Sequence, residues 1–237
     1  MISRLQLENI LFLDIETVPQ HGHFSDLDPE LQQLYADKTE YQRKDEYTAE
    51  AFYDRAGIWA EFGKIVCISV GYFHNTEQGR SFRTTSFHGE EKQQLLAFKK
   101  LLSEHYNKPQ HVLCAHNGKE FDFPFIARRT LINGLKLPKL LDIAGKKPWE
   151  VNHLDTMELW KFGDYKHYTS IKLLAALFDI PTPKDDIDGS QVAKVYWEEK
   201  DLERIKIYCQ KDALTVAQLL LKYKGESLIL EKNIEFV

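Results

Sequence analysis

The chain has few cysteines and no long apolar run. Its three cysteines, Cys67, Cys114 and Cys209, are odd in number and far apart, and no Cys-x-x-Cys pair occurs. This usage indicates a reducing compartment, such as the cytoplasm, and excludes a disulfide framework and a zinc ribbon. No stretch approaches the roughly 18 uninterrupted apolar residues of a membrane span. Charges from Arg4 onward also break the N-terminal segment too early for a secretory signal, so we expect no membrane association.

The chain also lacks a large excess of either charge sign. Among 237 residues, 31 Lys and Arg face 36 Asp and Glu, which gives a formal net charge of −5. This mild acidity argues against a protein that coats nucleic acid by bulk charge, so any such binding has to be local. Hydrophobic residues make up 43% of the chain and exclude disorder. Because we find no repeat, low-complexity tract or convincing linker, we interpret residues 1–237 as one domain.

Apolar patterning predicts a layered α/β fold. Residues 10–16 are apolar on both faces, which is typical of a central strand covered on both sides. Further strands are predicted at 64–72, 80–87 and 111–116, and helices at 90–106, from about 121 to 133, and at 170–178, 190–196 and 202–223. Strands first, then helix and strand in alternation, then helices, favour a mixed sheet covered by helices. A polar segment at about 20–61 is predicted to be partly helical and largely exposed.

Two acidic residues end the first predicted strand. Because strand periodicity is two, Asp14 and Glu16 point their carboxylates to the same face. Two anions a few Å apart at the edge of a core are costly unless cations compensate. For an isolated Asp-x-Glu pair, the better interpretation is a strand that emerges into solvent.

Two further acids occur on predicted helices. Asp212 interrupts the apolar stripe of the last helix, and Tyr208 lies four residues earlier on the same side. Asp122 falls in the first turn of the helix that follows the strand at 111–116. Each has an ordinary structural explanation, a core Tyr–Asp pair for one and a helix-dipole partner for the other. Their order along the chain, taken together with the first two acids, favours a shared function.

This set of motifs resembles the DEDD 3′–5′ exonucleases of the ribonuclease H-like fold, in the subgroup with tyrosine in the third motif. The motifs read LDIET at 13–17, HNGKEFD at 116–122 and YCQKD at 208–212. The strand at 63–71, the LDT run at 154–156 and the helix from Ser170 also resemble the exonuclease domain of family B DNA polymerases. The resemblance covers nearly the whole chain and leaves mainly 20–61 unplaced. Since only about 25 residues follow Asp212, we expect a stand-alone relative of a proofreading domain.

The resemblance implies both a fold and a catalytic site. The implied fold is α/β and ribonuclease H-like, a mixed sheet of about five strands flanked by helices in three layers. The implied site has two Mg²⁺ or Mn²⁺ ions held by four acids: Asp14, Glu16, Asp122 and Asp212. Two divalent ions would balance the four negative charges. Tyr208 is implied to orient the attacking water, because its phenol is a poor base at pH 7.

The resemblance also implies substrate contacts. Thr17 and Asn117 are predicted to contact the terminal nucleotides. Phe121 is predicted to stack on the substrate or to pack in the core, and Asp155 to bind near the substrate, support the metal ligands or cap a turn. The implied reaction removes nucleoside 5′-monophosphates from the 3′ end of single-stranded DNA. The alternatives are an exoribonuclease on the same scaffold and a non-catalytic module that binds nucleic acid.

Basic residues are concentrated at 119–147, where seven of them outnumber three acids. Aromatic residues follow closely: Trp149, Trp160, Phe162, Tyr165 and Tyr168. This pattern suits a groove that tracks a nucleic-acid backbone and stacks its bases. A solvated face beside an aromatic core predicts the same pattern equally well.

Overall fold

The computed structural model describes residues 2–44, 46–77, 79–164, 168–181 and 187–237. These residues form a mixed sheet whose strands lie in the order β5-β4-β1-β2-β3-β6. The strands are β1 (Ile10–Pro19), β2 (Gly63–Thr76), β3 (Gly79–His88), β4 (Val112–Ala115), β5 (Leu154–Asp155) and β6 (Ile234–Phe236). The predicted α/β fold with a mixed sheet is confirmed, and the sheet has six strands where about five were expected.

Helices cover both faces of the sheet and complete three layers. The α-helices are α1 (Pro29–Arg43), α2 (Glu91–His105), α3 (Asp122–Ile132), α4 (Thr156–Lys161), α5 (Ile171–Leu177), α6 (Val192–Lys194) and α7 (Leu202–Lys224). Helix α6 continues into a π-helical turn, Val195–Glu199. Among the helices described here, none combines the length and the apolar character that crossing a lipid bilayer requires.

The central strand β1 is buried on both faces, as its apolar run predicts. Leu11, Leu13 and Ile15 pack against α2 and α3, whereas Phe12 and Val18 pack under α7 and the segment that precedes it. The alternation therefore directs the side chains of residues 14 and 16 toward α7. The strand does not emerge into solvent at these acids, because it continues to Pro19 between β2 and the helical layers.

Residues 20–61 are partly helical, as predicted, but they also enclose a small core of their own. Its centre is Tyr35 of α1, which is fully buried and donates a hydrogen bond through its hydroxyl to the carbonyl oxygen of Phe52 at 2.8 Å. Other buried aromatic side chains surround this tyrosine: Phe52, Tyr53 and Phe62. The expectation of a largely exposed segment is therefore incomplete. The aromatic residues are irregularly spaced in the sequence, so no helix or strand periodicity predicts that they form a buried cluster.

Candidate active site

The acids of β1 meet the middle of α7 across one face of the sheet. Helix α7 is fixed against β1 by Cys209, whose thiol donates a hydrogen bond to the backbone carbonyl oxygen of Asp14 at 3.3 Å. Tyr208 precedes this cysteine, and Asp212 lies one turn further along the same helix. The phenol of Tyr208 donates a hydrogen bond to the carboxylate of Asp212. Motifs one and three of the sequence therefore lie side by side.

A β-bulge occurs in the β1–β2 ladder at Glu16. Glu16 pairs with Cys67, whereas Thr17 pairs with Ile65, so Val66 is the extra residue of β2. Val66 and Cys67 are consecutive, yet both pack in the cluster under α7. Bulges re-aim side chains near functional sites, and this one directs two neighbouring residues of β2 to the acidic face. Thr17 follows the bulge and is half-buried, and its contact with substrate stays a prediction.

Asp122 reaches the same place from the other side of β1. Strand β4 pairs with β1 only as far as Phe12, so the ladder on that side ends before Ile15. The carboxylate of Asp122, at the start of α3, lies close enough to the backbone N–H of Ile15 for that dipole to lower its pKa. The turn before α3 needs Gly118, because a Cβ there would lie 2.4 Å from the Cβ of Ala115. The tight turn thus delivers the third acid to the strand that carries the first two.

The four carboxylates act on one another electrostatically. Burial raises the pKa of Asp14 well above its ordinary value, and the charges of Glu16, Asp212 and Asp122 raise it further. The pKa of Glu16 is raised in the same way, chiefly by burial and then by Asp212. Burial and neighbouring acids raise the pKa of Asp122 to about 8. Like charges this close cannot all stay ionised without a compensating cation.

One of these carboxylates has an oxygen without a hydrogen-bond partner, and a second is buried without a neighbouring cation. Oδ2 of Asp14 is buried and has no partner. Glu16 is 7% exposed, and among the described residues no cation acts on its pKa. A buried anion without a donor or a cation is costly, so these oxygens are placed to receive a cation.

Tyr208 is buried among these acids. Burial raises the pKa of its phenol far above 10, and the charges of Asp212, Glu16 and Asp14 raise it further. The phenol therefore remains protonated at neutral pH and serves as a hydrogen-bond donor rather than as a base.

Asn117 precedes Asp122 in the tight turn and has a left-handed backbone, with φ of 62°. Asparagine tolerates this conformation better than most residues. Its side-chain Oδ1 is buried and has no partner, which suits the predicted substrate contact. Phe121 lies at the start of α3, and its ring packs on Phe125 with centroids 5.3 Å apart. Core packing, one of its two predicted roles, is thus observed, and stacking on substrate stays a prediction.

Asp155 holds the tight turn in place. Its Oδ1 accepts the backbone N–H of Asn117 at 2.9 Å, and its Oδ2 accepts that of Lys119 at 3.1 Å. Its Oδ1 also accepts the N–H groups of Met157 and Glu158, so Asp155 is the N-cap of α4. Of the three predicted roles, the structure therefore shows the cap. Because both oxygens receive backbone donors, a direct contact with substrate is not favoured.

A family model described as a predicted 3′–5′ exonuclease related to the exonuclease domain of PolB matches residues 58–233 of the chain. The chain belongs to this family. The matched range contains motifs two and three and begins after Asp14 and Glu16. The resemblance predicted from the motifs is thereby confirmed at the level of the family.

Two similar proteins are DNA polymerases. A "DNA polymerase" of Pyrococcus glycovorans is 25% identical over an alignment of 142 residues, and the match covers 54% of this chain and 18% of that protein. The structure of the family B DNA polymerase from the hyperthermophilic archaeon Pyrobaculum calidifontis matches with a TM-score of 0.51 and 16% identity. The match covers 90% of this chain and 24% of that polymerase, and it shows that the chain shares its fold with part of that polymerase. This PolB-exonuclease relative thus spans a quarter or less of either polymerase.

In this exonuclease relative, some basic residues of the segment 119–147 line a surface cavity and at least one is buried. A cavity of about 670 Å³ beside Asn117 is lined by Lys119, Arg128 and Lys146, together with apolar residues of α3 and α4. Arg129, by contrast, is 4% exposed, and its guanidinium binds the carboxylate of Glu91 at 2.6 Å. Arg129 therefore forms a buried ion pair with Glu91 and is not part of an exposed basic surface.

The predicted aromatic set divides in the same way. Trp160 packs against Phe178 and stacks on Tyr223, within the core under α7. The other described members are exposed: Trp149, Phe162 and Tyr168. Tyr165 lies outside the described residues. Both explanations of the pattern, a groove and a core, therefore apply to different members of the set.

Sequence reasoning missed the two thiols that border the acids. Cys209 belongs to the apolar stripe of α7, and Cys67 looks like an ordinary residue of a buried strand. The two cysteines pack in one cluster, and Cys67 pairs with Glu16 in the ladder. The only sequence signal is the cysteine directly after Tyr208 in motif three.

Proposed function

We propose that this chain is a two-metal-ion 3′–5′ exonuclease that hydrolyses single-stranded DNA from its 3′ end and releases nucleoside 5′-monophosphates. The observation that carries the proposal is the meeting of four carboxylates and Tyr208 at one place, from elements nearly 200 residues apart. Membership of a predicted 3′–5′ exonuclease family supports the reaction class. The similarity to a protein named as a DNA polymerase supports DNA as the substrate.

The donor set fits hard divalent cations. The four acids offer only oxygen ligands, which Mg²⁺ and Mn²⁺ prefer, and four negative charges balance two such ions. The buried Oδ2 of Asp14, which has no hydrogen-bond partner, supports a cation at this position. We assign the ions to four ligands: Asp14, Glu16, Asp122 and Asp212. When bound, the ions would activate the attacking water and stabilise charge on the transferring and leaving oxygens.

Other residues of the chain bind and orient. Tyr208 stays protonated and, held by Asp212, presents its hydroxyl group to the attacking water. Asn117, with an unpartnered side-chain oxygen, contacts the strand near the cut together with Thr17. Asp155 holds the turn that carries Asn117 and Asp122, so it acts by positioning.

The experiment is digestion of a 5′-labelled single-stranded DNA oligonucleotide in Mg²⁺, Mn²⁺ or EDTA. We expect a ladder that shortens from the 3′ end with either metal, and no cleavage in EDTA. Asp14→Asn and Asp122→Asn are expected to abolish cleavage. Asp28→Asn is the matched control, because Asp28 is an exposed helix cap of α1 outside the site. Cuts within the strand, or full activity in EDTA, would overturn the proposal.

Two further outcomes identify the alternatives. A matched RNA oligonucleotide that is degraded much faster than DNA indicates an exoribonuclease, since one or two contacts to the 2′-OH separate the substrates. Calorimetric binding of two ions per chain without cleavage of DNA or RNA indicates a non-catalytic binding module.

A further inference from the structure

The acidic site contains a sulfur ligand that the proposed reaction does not use. The thiol of Cys209 and carboxylate oxygens of Asp14 and Glu16 all lie within 4.8 Å of one another. Cys209 is fully buried, and its sulfur is 3.3 Å from the backbone carbonyl oxygen of Asp14. The thiol is thus part of the wall of the site rather than of a distant core.

A second thiol lies near the first. Cys67 lies opposite Glu16 in the ladder, is also fully buried, and packs in the same cluster as Cys209. Among the described residues, the ligand atoms that lie within 4.8 Å of one another belong to Asp14, Glu16 and Cys209, so Cys67 lines the wall of the site and is not one of its donors.

The carboxylates themselves indicate a missing cation. Glu16 is 7% exposed, and Oδ2 of Asp14 is buried without a hydrogen-bond partner. A cation at this position would contact oxygen and sulfur at once.

Oxygen and sulfur ligands select different metals. Mg²⁺ is a hard cation that binds carboxylate and water oxygens and has little affinity for thiolate. Zn²⁺ is borderline soft and binds both, with Zn–S of about 2.3 Å and Zn–O of about 2.1 Å in a tetrahedron. These bond lengths place two ligand atoms about 3.6 Å apart, which the observed spacing reaches with small side-chain movements.

We propose that Asp14, Glu16 and Cys209 form a mixed oxygen–sulfur site for Zn²⁺ or a similarly thiophilic cation such as Cd²⁺ or Co²⁺. On binding, the coordinating thiol releases its proton to solvent as the metal–sulfur bond forms. Because Asp14 and Glu16 are also ligands in the proposed magnesium site, the two sites exclude each other. Zinc is therefore an inhibitor that competes with Mg²⁺, a consequence that rests on the proposed function, whereas the binding itself does not.

The direct test uses Co²⁺ as a spectroscopic probe of the full chain without nucleic acid. A cobalt–thiolate bond gives a sulfur-to-cobalt charge-transfer band in the near ultraviolet. We expect this band to saturate at one Co²⁺ per chain and to disappear when Zn²⁺ is added. Cys209→Ser is expected to weaken cobalt binding at least about tenfold, since the loss even of an outer partner of a ligand costs 10- to 100-fold.

Cys114→Ser is the matched control. Cys114 is also fully buried, but it packs in the cluster beneath the C-terminal half of α7 and has no part in the mixed site. It is expected to keep the wild-type band. Circular dichroism melting of each variant verifies that it is folded, and Cys209→Ala replaces Cys209→Ser if the serine variant does not fold. Absence of the band in the wild type, or equal bands in the Cys209 and Cys114 variants, overturns the proposal.

Inhibition provides the second readout. At fixed Mg²⁺, we expect Zn²⁺ to inhibit the wild type and Cys114→Ser alike, and Cys209→Ser to need at least about tenfold more Zn²⁺ relative to its own uninhibited rate. Added Mg²⁺ is expected to relieve the inhibition. A cobalt band without any nuclease activity would contradict the proposed function and leave the mixed site supported. Nuclease activity without a cobalt band would contradict only the mixed site.

Discussion

Asp155 Oδ1 accepts the backbone N–H of Asn117 at 2.9 Å, although the two residues are 38 positions apart. The same carboxylate binds the N–H of Lys119 and caps α4. It therefore joins the turn of motif two to the edge of the sheet, and that turn leads directly into Asp122. Asp155 therefore fixes the positions of Asp122, a proposed metal ligand, and of Asn117, a proposed substrate contact.

We expect Asp155→Ala to lower kcat at least about tenfold, because displacement of catalytic groups by even 1 Å is costly. KM is expected to change less than kcat, since the loss concerns alignment rather than binding. Stability is expected to fall by about 1–3 kcal/mol, as four backbone donors lose a charged acceptor. Steady-state kinetics and thermal unfolding measure the two effects.

Asp28→Ala is the control for helix capping alone. Asp28 caps α1 through the N–H of Leu31 at 2.9 Å, in the segment at 20–61. Its loss is expected to cost about 1 kcal/mol of stability and to leave kcat unchanged. If Asp155→Ala behaves in the same way, Asp155 is a cap and has no positioning role.

The second prediction concerns pH in the absence of metal. The pKa of Asp122 is raised to about 8 in the folded protein, whereas an unfolded aspartate titrates near 3.9. Between these values the folded chain binds more protons than the unfolded chain, so the stability due to this group falls as pH rises. Thermal unfolding in EDTA from pH 5 to pH 8.5 measures the slope.

Asp122→Asn isolates this contribution. The pKa of buried His153 is lowered to about 4, so its contribution to stability rises with pH up to about pH 6.5, opposite to that of Asp122. Because His153 is present in both proteins, the difference between wild type and variant removes its contribution. We expect the variant to gain stability relative to the wild type as pH rises. Equal slopes for the two proteins contradict the prediction.

Periodicity predicts the elements that are long. The apolar residues on both faces of 10–16 predict β1, and the two-residue period of a strand predicts that Asp14 and Glu16 lie on one face, as they do. Helix α7 is equally readable, with an acidic start, a glycine end and an apolar stripe. The contact between motif one and motif three is a tertiary feature, which the resemblance to a known family predicts and the local pattern does not.

Short elements and tertiary contacts are not predictable in this way. Strand β5 has two residues and β6 has three, too few to establish an alternation. The pairing of Cys67 with Glu16, and the β-bulge next to it, depend on the register of two strands about 50 residues apart, which no local pattern encodes. Arg129 looks like a surface cation until its partner Glu91, 38 residues away, is known.

The third prediction is that Tyr208→Phe lowers kcat by about 10- to 100-fold, because a water held by one fewer hydrogen bond is less well oriented. The ring is kept, so packing under α7 is preserved and stability changes little. Since burial raises the pKa of this phenol far above 10, the alkaline limb of the pH–rate profile is expected to have the same position in wild type and variant. A shifted limb indicates that the tyrosine titrates and acts as a base.

Tyr35→Phe is the matched control for a lost buried hydroxyl. Its hydroxyl donates to the carbonyl oxygen of Phe52 at 2.8 Å, in the small core of residues 20–61. We expect this variant to lose about 1 kcal/mol of stability, which is typical of one hydrogen bond, and to keep its kcat.

The fourth prediction is that Mg²⁺ stabilises the folded chain. A ligand at 100 times its Kd adds about 2.7 kcal/mol to the free energy of unfolding, which for a chain of this size raises Tm by about 5–10 °C. The physical source is compensation of buried carboxylates: burial, and after it the neighbouring acids, raises the pKa values of Asp14 and Glu16, and a bound cation offsets both effects. Asp14→Asn removes one of the buried charges, so its Tm in EDTA is expected to lie above that of the wild type, while its Mg²⁺ response is reduced. A wild-type Tm that is the same in Mg²⁺ and in EDTA would mean that the four carboxylates do not bind the ion, and the exonuclease proposal would lose its chemical basis.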